Sequence, residues 1–157
     1  MAYYAENSFK DTTNQASGTT YVVTLPDSGT YAVDDLLVIA IRNNGGGTAI
    51  TQSGGSDWTI EADQAQVTNM RMAIAWKVAT TTSETNPTFN CANAAISASS
   101  FVVKDAPTTT PIDGSKRANM AATTSVASGA LTVGTDNALL LAIMGSNAGD
   151  QQRFKSN

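Results

Sequence analysis

Three aspartates, a run of glycines and a single cysteine are the residues with which this 157-residue chain could do chemistry. Asp34-Asp35 opens one apolar run, "DDLLVIAI", and Asp136 precedes a similar one, "ALLLAIM". Carboxylates meeting at one end of a β-sandwich would offer hard oxygen ligands to Ca²⁺. Their spacing matches no EF-hand loop, and an Asp in a turn more simply bonds its own backbone. Asp34, Asp35 and Asp136 are therefore carried as calcium candidates; no other metal and no cofactor is expected. "RNNGGGTAITQSGG" (42–55) follows a strand-like run, as a phosphate loop would. A phosphate loop also needs a Lys-Ser/Thr pair and a helix whose N-terminus faces the anion, and neither follows. Asn44-Gly45 reads instead as a hairpin turn.

Catalytic groups are sparse. The chain has no His, which removes imidazole acid–base chemistry and His-based metal sites. Glu6, Glu61 and Glu84 are the only glutamates. Cys91 has no His to activate it and reads as a small buried hydrophobe. The chain is expected not to be an enzyme. A glycan hydrolase built on two carboxylates is the distant alternative. A net charge of −4 and nine thinly spread basic residues lack the clustered Lys and Arg that nucleic acid requires. The N-terminus carries no apolar core of signal-peptide length. The longest apolar runs, 36–41 and 138–144, are too short for a transmembrane helix. Neither nucleic acid nor membrane is expected as a partner.

The elements that would position these residues are strands. Only 14% of residues are charged, and Thr, Ser, Asn and Gly are spread along the chain, a composition that suits pleated surfaces and turns. Short apolar or alternating segments recur at 19–25, 35–42, 48–52, 58–62, 68–78, 87–91, 95–104, 129–133 and 137–144, separated by turn residues. One helical turn is allowed near 62–67. In 68–78 the residues Met70, Met72, Ile74, Trp76 and Val78 share one face. Core packing is the default for Trp58 and Trp76. The segment 105–125 reads as a long irregular connection of the kind often tied to function. The fold class is all-β: an antiparallel β-sandwich, jelly-roll-like or Ig-like. Residues 1–18 form an N-terminal arm. Residues 19–157 form one domain, read as the start of a longer chain because "GSNAGDQQRFKSN" looks like a hairpin cut short.

Residues 33–44 and 135–146 also resemble each other, aligning Asp34 with Asp136 and Ala40-Ile41 with Ala142-Ile143. One reading is chance similarity of buried strands; the other is two equivalent central strands. Both lack a polar face, so both are expected to be covered on two sides.

The order of segments resembles a group of β-sandwich domains in tailed-phage virion proteins. The likeness runs over roughly residues 19–146. It rests on "DDLLVIAI", "MRMAIAWKVAT" running into "TTSETNPTF", "ASSFVVKDAPTTTPIDG" and "TDNALLLAIMGS". None of these is a catalytic signature, and no functional residue carries over. The resemblance implies a bacteriophage virion structural protein, a capsid decoration or cement protein in the first instance. It would be assembled in a host cytoplasm, bind the major capsid protein or other virion subunits, and form a homo-oligomer. The alternative is a receptor- or glycan-binding domain of a tail fibre or adhesin. Tyr3, Tyr4 and Phe9 in the arm, and Pro111, Ile112 and Asp113 of "PIDG", are the partner-contact candidates.

Overall fold

The computed structural model describes residues 2–5, 8–45, 48–55, 57–66, 70–113, 134, 139–144 and 153–156. Within them the chain is all-β, with eleven strands and no helix. The strands are β1 (Tyr3–Tyr4), β2 (Lys10–Gln15), β3 (Thr20–Val22), β4 (Leu36–Asn43), β5 (Thr51–Ser53) and β6 (Thr59–Gln66). They continue with β7 (Met70–Val78), β8 (Thr88–Asn90), β9 (Ile96–Lys104), β10 (Leu141–Met144) and β11 (Arg153–Ser156). A large antiparallel sheet runs β1-β9-β4-β7-β6, with β2 also on β9. A small sheet runs β3-β8-β5 and packs on it, so the fold is a β-sandwich.

β4 sits at the centre because it has no polar face to spare. All eight of its residues are buried. Leu37, Ile39 and Ile41 point between the sheets and are fully buried. There they meet Tyr21 and Val23 from the small-sheet side and Phe89 of β8. The ring of Phe89 stacks on Tyr21 at 6.0 Å and meets Trp58 edge-on at 6.4 Å. These aromatics fill the gap between the sheets beside β7, so the facing residues of β7 must be small. Ala73 and Ala75 occupy those places, and close packing leaves no room for larger ones. β9, by contrast, contributes Ile96, Ala98 and Val102 to the core.

The bulky face of β7 is therefore the other face. Trp58 joins the inter-sheet core as expected, whereas Trp76 lies half-buried on the outer side of the large sheet. The segment expected to make a helical turn at 62–67 continues as β6, paired with β7 through Gln66. An irregularity between Ile60 and Ala62 sits in that ladder. Pairing to β7 outweighs the helix propensity of Ala and Gln.

Asn44-Gly45 makes a turn but not a hairpin. β4 pairs with β7 and β9, and the chain leaves Gly45 for the other sheet. Asn43, 1% exposed, holds this exit: its Nδ2 donates to Ala92 O at 3.0 Å, and its Oδ1 accepts from Gly45 N at 2.8 Å. A Cβ at position 45 would lie 2.6 Å from that of Ala92, so the glycine is there for close approach. The two halves of the sequence repeat part company. β4 is central, while among the described residues β10 pairs with β11, in a separate two-stranded ladder from Leu141–Ser156 to Met144–Arg153. The predicted strand at 129–133 lies outside the described residues, as do 114–125 of the long connection.

Candidate partner interface

The large sheet carries a second apolar layer on the side away from the small sheet. Its register builds this layer row by row. Val38 lies opposite Trp76 on one side and Phe101 on the other; Leu36 lies between Val78 and Val103. Leu36, Val38, Phe101 and Val103 are buried, and Ile74, Trp76 and Val78 are half-buried around them. What covers them comes from chain segments far apart: Ala2, Tyr4 and Phe9, then Ala106 and Ile112, then Leu139 and, from β10, Leu141.

Several residues singled out from the sequence meet here. Tyr4 sets its ring 5.9 Å from that of Phe101, tilted by 60°. Phe9 and Ile112 pack on the same cluster. Tyr3, opposite Lys104 in the ladder, points out and is 49% exposed. Pro111 is half-buried beside Ile112, and Asp113 is exposed, its Oδ2 accepting from Gly134 N at 2.7 Å. The arm and "PIDG" thus converge on one face through Tyr4, Phe9 and Ile112. That face reads in the sequence only as the missing polar side of β4. Its centre, Trp76 against Phe101 and Val38, comes from three distant segments.

The aspartates do structural work. Asp34 adopts a left-handed conformation, φ 73°, and its N–H donates to Ala79 O at 2.9 Å. Asp35 Oδ2 accepts from Ala32 N and from Lys104 Nζ, each at 2.7 Å, tying the entry of β4 to the end of β9. Asp136 lies outside the described residues. Among the described residues no three His, Cys, Asp or Glu gather where they could hold one ion.

A charged cluster that sequence reasoning missed stands beyond the end of β7. Lys77 Nζ lies 2.8 Å from Asp57 Oδ2 and 2.7 Å from Glu84 Oε2. Glu84 Oε1 accepts from Thr80 N at 2.6 Å, Thr80 Oγ1 at 2.9 Å and Thr81 N at 3.2 Å. The Glu84 N–H donates to Tyr31 Oη at 2.7 Å. Burial pushes the Glu84 carboxyl up, but the donors from Lys77, Thr80 and Thr81 outweigh it and hold it below its ordinary value. Burial likewise pushes Lys77 down, and its two carboxylate partners reverse this and hold it above. The Lys77 bond, then that of Gln52, keeps Asp57 low. Such charges are locked in their ionised forms. They fasten Asp57 and Glu84 to Lys77 of β7 and poise neither an acid nor a base near neutrality.

Cys91 is buried, and burial pushes its thiol up, away from the reactive thiolate. A shallow cleft of about 120 Å³ lies near the Asn43 end of β4, lined by Gln15, Arg42, Asn44, Ile96 and Ser97. It is smaller than the roughly 300–1,000 Å³ usual for small-molecule sites. Comparison with protein-family models, with curated proteins and with solved structures finds no match.

Proposed function

We propose that this chain is a non-enzymatic structural protein of a tailed-phage virion, a capsid decoration protein that binds shell subunits by protein–protein contact. The observation that carries the reading is the outer face of the large sheet. A sandwich needs one core, and this one spends Trp76, Phe101, Val38 and Leu36 on a second apolar layer. Arm residues Tyr4 and Phe9 and the "PIDG" residue Ile112 lie over that layer, with Tyr3 standing exposed at its margin. An exposed aromatic beside an apolar layer suits a protein interface. The order of sequence motifs supports the virion setting. The locked Lys77–Glu84 pair and the small cleft favour a binding role over a catalytic one.

The test is a pull-down on purified particles. Virions should contain the polypeptide by mass spectrometry, and purified protein should rebind stripped shells. Tyr3→Ala should weaken rebinding by roughly tenfold or more, as loss of an aromatic anchor does, with its circular dichroism unchanged. Absence of the polypeptide from virions overturns the reading. Immunogold labelling of tails and not shells moves the protein to a fibre.

A further inference from the structure

The arm is a terminal part of the large sheet, which can leave without unthreading the rest. β1 and β2 lie end to end along the outer edge of β9, the edge not taken by β4. Tyr3–Tyr4 pairs with Val103–Lys104, and Lys10–Gln15 pairs with Ser100–Ile96. Between the two strands a plug closes the edge. Ala5 N donates to Val102 O at 3.0 Å. Ser8, fully buried, donates from Oγ to Ala5 O at 2.7 Å and accepts from Val102 N at 3.0 Å. Without the arm, β9 would present a long row of unpaired backbone groups, a template for another strand.

The tether to the body is short, held at Gly18 and Thr19 by Cys91 and Asn93 and exposed before them. Residues 15–17 and 19 are exposed, and Gly18 turns with φ 149°, a conformation that favours glycine. Gly18 N donates to Asn93 Oδ1, and Thr19 O accepts from Cys91 N, so Thr19 is the fixed point about which the arm would swing. Ala16, Ser17 and Gly18, between β2 and that fixed point, extended span about 10 Å. The occupant of β9's edge is specified by the edge itself. Val102 N is met by a hydroxyl that must also reach a carbonyl three residues back, and this chain's own Ala5–Ser8 spacing supplies both.

We propose that the β9 edge is an assembly edge, at which the arm of a second copy of this chain replaces the chain's own arm. The arm makes the same bonds in either arrangement. Exchange therefore changes only the tether and the association entropy, and concentration decides which form dominates. The proposal does not depend on a virion setting, and the two tests can fail separately.

The experiment locks the ladder covalently in the full chain, with Cys91→Ser to remove the native thiol while keeping a donor for Gly18 O and Thr19 O. Tyr3→Cys and Lys104→Cys occupy directly opposed positions, and opposed Cα atoms in an antiparallel pair, about 4.5–5.5 Å apart, suit a disulfide. The protein is equilibrated in a glutathione buffer in which each single-cysteine variant stays unlinked. It is then run on a non-reducing gel. The expected result is covalent dimers or larger species that become the majority of linked protein as concentration rises. Linked monomer alone at every concentration overturns the proposal, as does no linkage at all. If losing Lys104 unsettles Asp35, the pair Tyr4→Cys/Val103→Cys reads the same ladder with the same outcomes.

Discussion

Replacing Glu84 by Gln should cost about 2 kcal/mol at neutral pH. The Glu84 side chain is 8% exposed and its partner Lys77 13%, so neither charge is freely hydrated. The substitution keeps the shape and leaves an amide oxygen for the Thr80 and Thr81 donors. It replaces the carboxylate oxygen 2.7 Å from Lys77 with a poorer partner for an ammonium. A hydrogen bond to a charged group contributes roughly 1.5–3 kcal/mol, and breaking a fully buried pair costs roughly 3–5. Lys77 keeps Asp57, which is 54% exposed and reached by water, and that sets the cost near the lower range. In a domain of this size such a loss lowers Tm by roughly 4–8 °C. The difference should also depend on pH. The folded carboxyl lies below its ordinary value of 4.5, so its stabilisation is present above that value. It is lost as pH falls through the lowered folded value. The variant lacks this group, so the two urea-unfolding curves should draw together in acid. A neutral-pH gap under about 0.5 kcal/mol, the usual spread of surface substitutions, or a gap that persists undiminished in acid, refutes the reasoning.

Ser8→Ala removes the hydroxyl that satisfies Val102 N–H and should cost about 2 kcal/mol; amide exchange at Val102 should rise well above that at Val38. Asp34→Gly relieves a left-handed residue and should stabilise by about 0.5–1 kcal/mol, whereas Asp34→Val should destabilise by about 1–2 kcal/mol in thermal melts. Phe101→Ala empties the middle of the outer layer and should cost about 3–4 kcal/mol in denaturant unfolding. Cys91, buried and with its thiol pushed up, should react with an aromatic disulfide reagent only at the rate of unfolding; rapid reaction in native buffer would contradict its placement.

Much of the fold was legible because strands advertise themselves by period. The run Leu36–Ile41 has no polar face, and the structure gives it none: it is the central strand with an apolar layer on either side. Turn chemistry at Pro26–Gly29 and the alternation of 70–78 were read from residues alone, and β7 falls where that alternation is strict. The choice of face was not legible. Alternation in β7 says that Trp76 and Ala75 point in opposite directions, not which of them meets the second sheet. That was settled by Phe89, Tyr21 and Trp58, whose bulk fills the inter-sheet gap and leaves β7 space there only for Ala73 and Ala75. Likewise Ala and Gln in 62–66 favour a helix by themselves and become a strand because β7 supplies a pairing edge.

The candidate site divides in the same way. Sequence by itself determined an all-β chain without histidine, poor in acids, and with aromatic residues gathered in an N-terminal arm. These are properties of residue type and local period, and they need no knowledge of neighbours. Only the tertiary structure decided that Tyr4, Phe9 and Ile112 share one face with Trp76, and that Lys77 stands between Asp57 and Glu84. It also closed the edge of β9 with Ser8. Tyr4, Phe9 and Ile112 stand 36 to 72 positions from Trp76, and Ser8 stands 94 from Val102. Contacts at such separations are chosen by sheet register and packing volume, which act between segments and leave no mark on either segment alone.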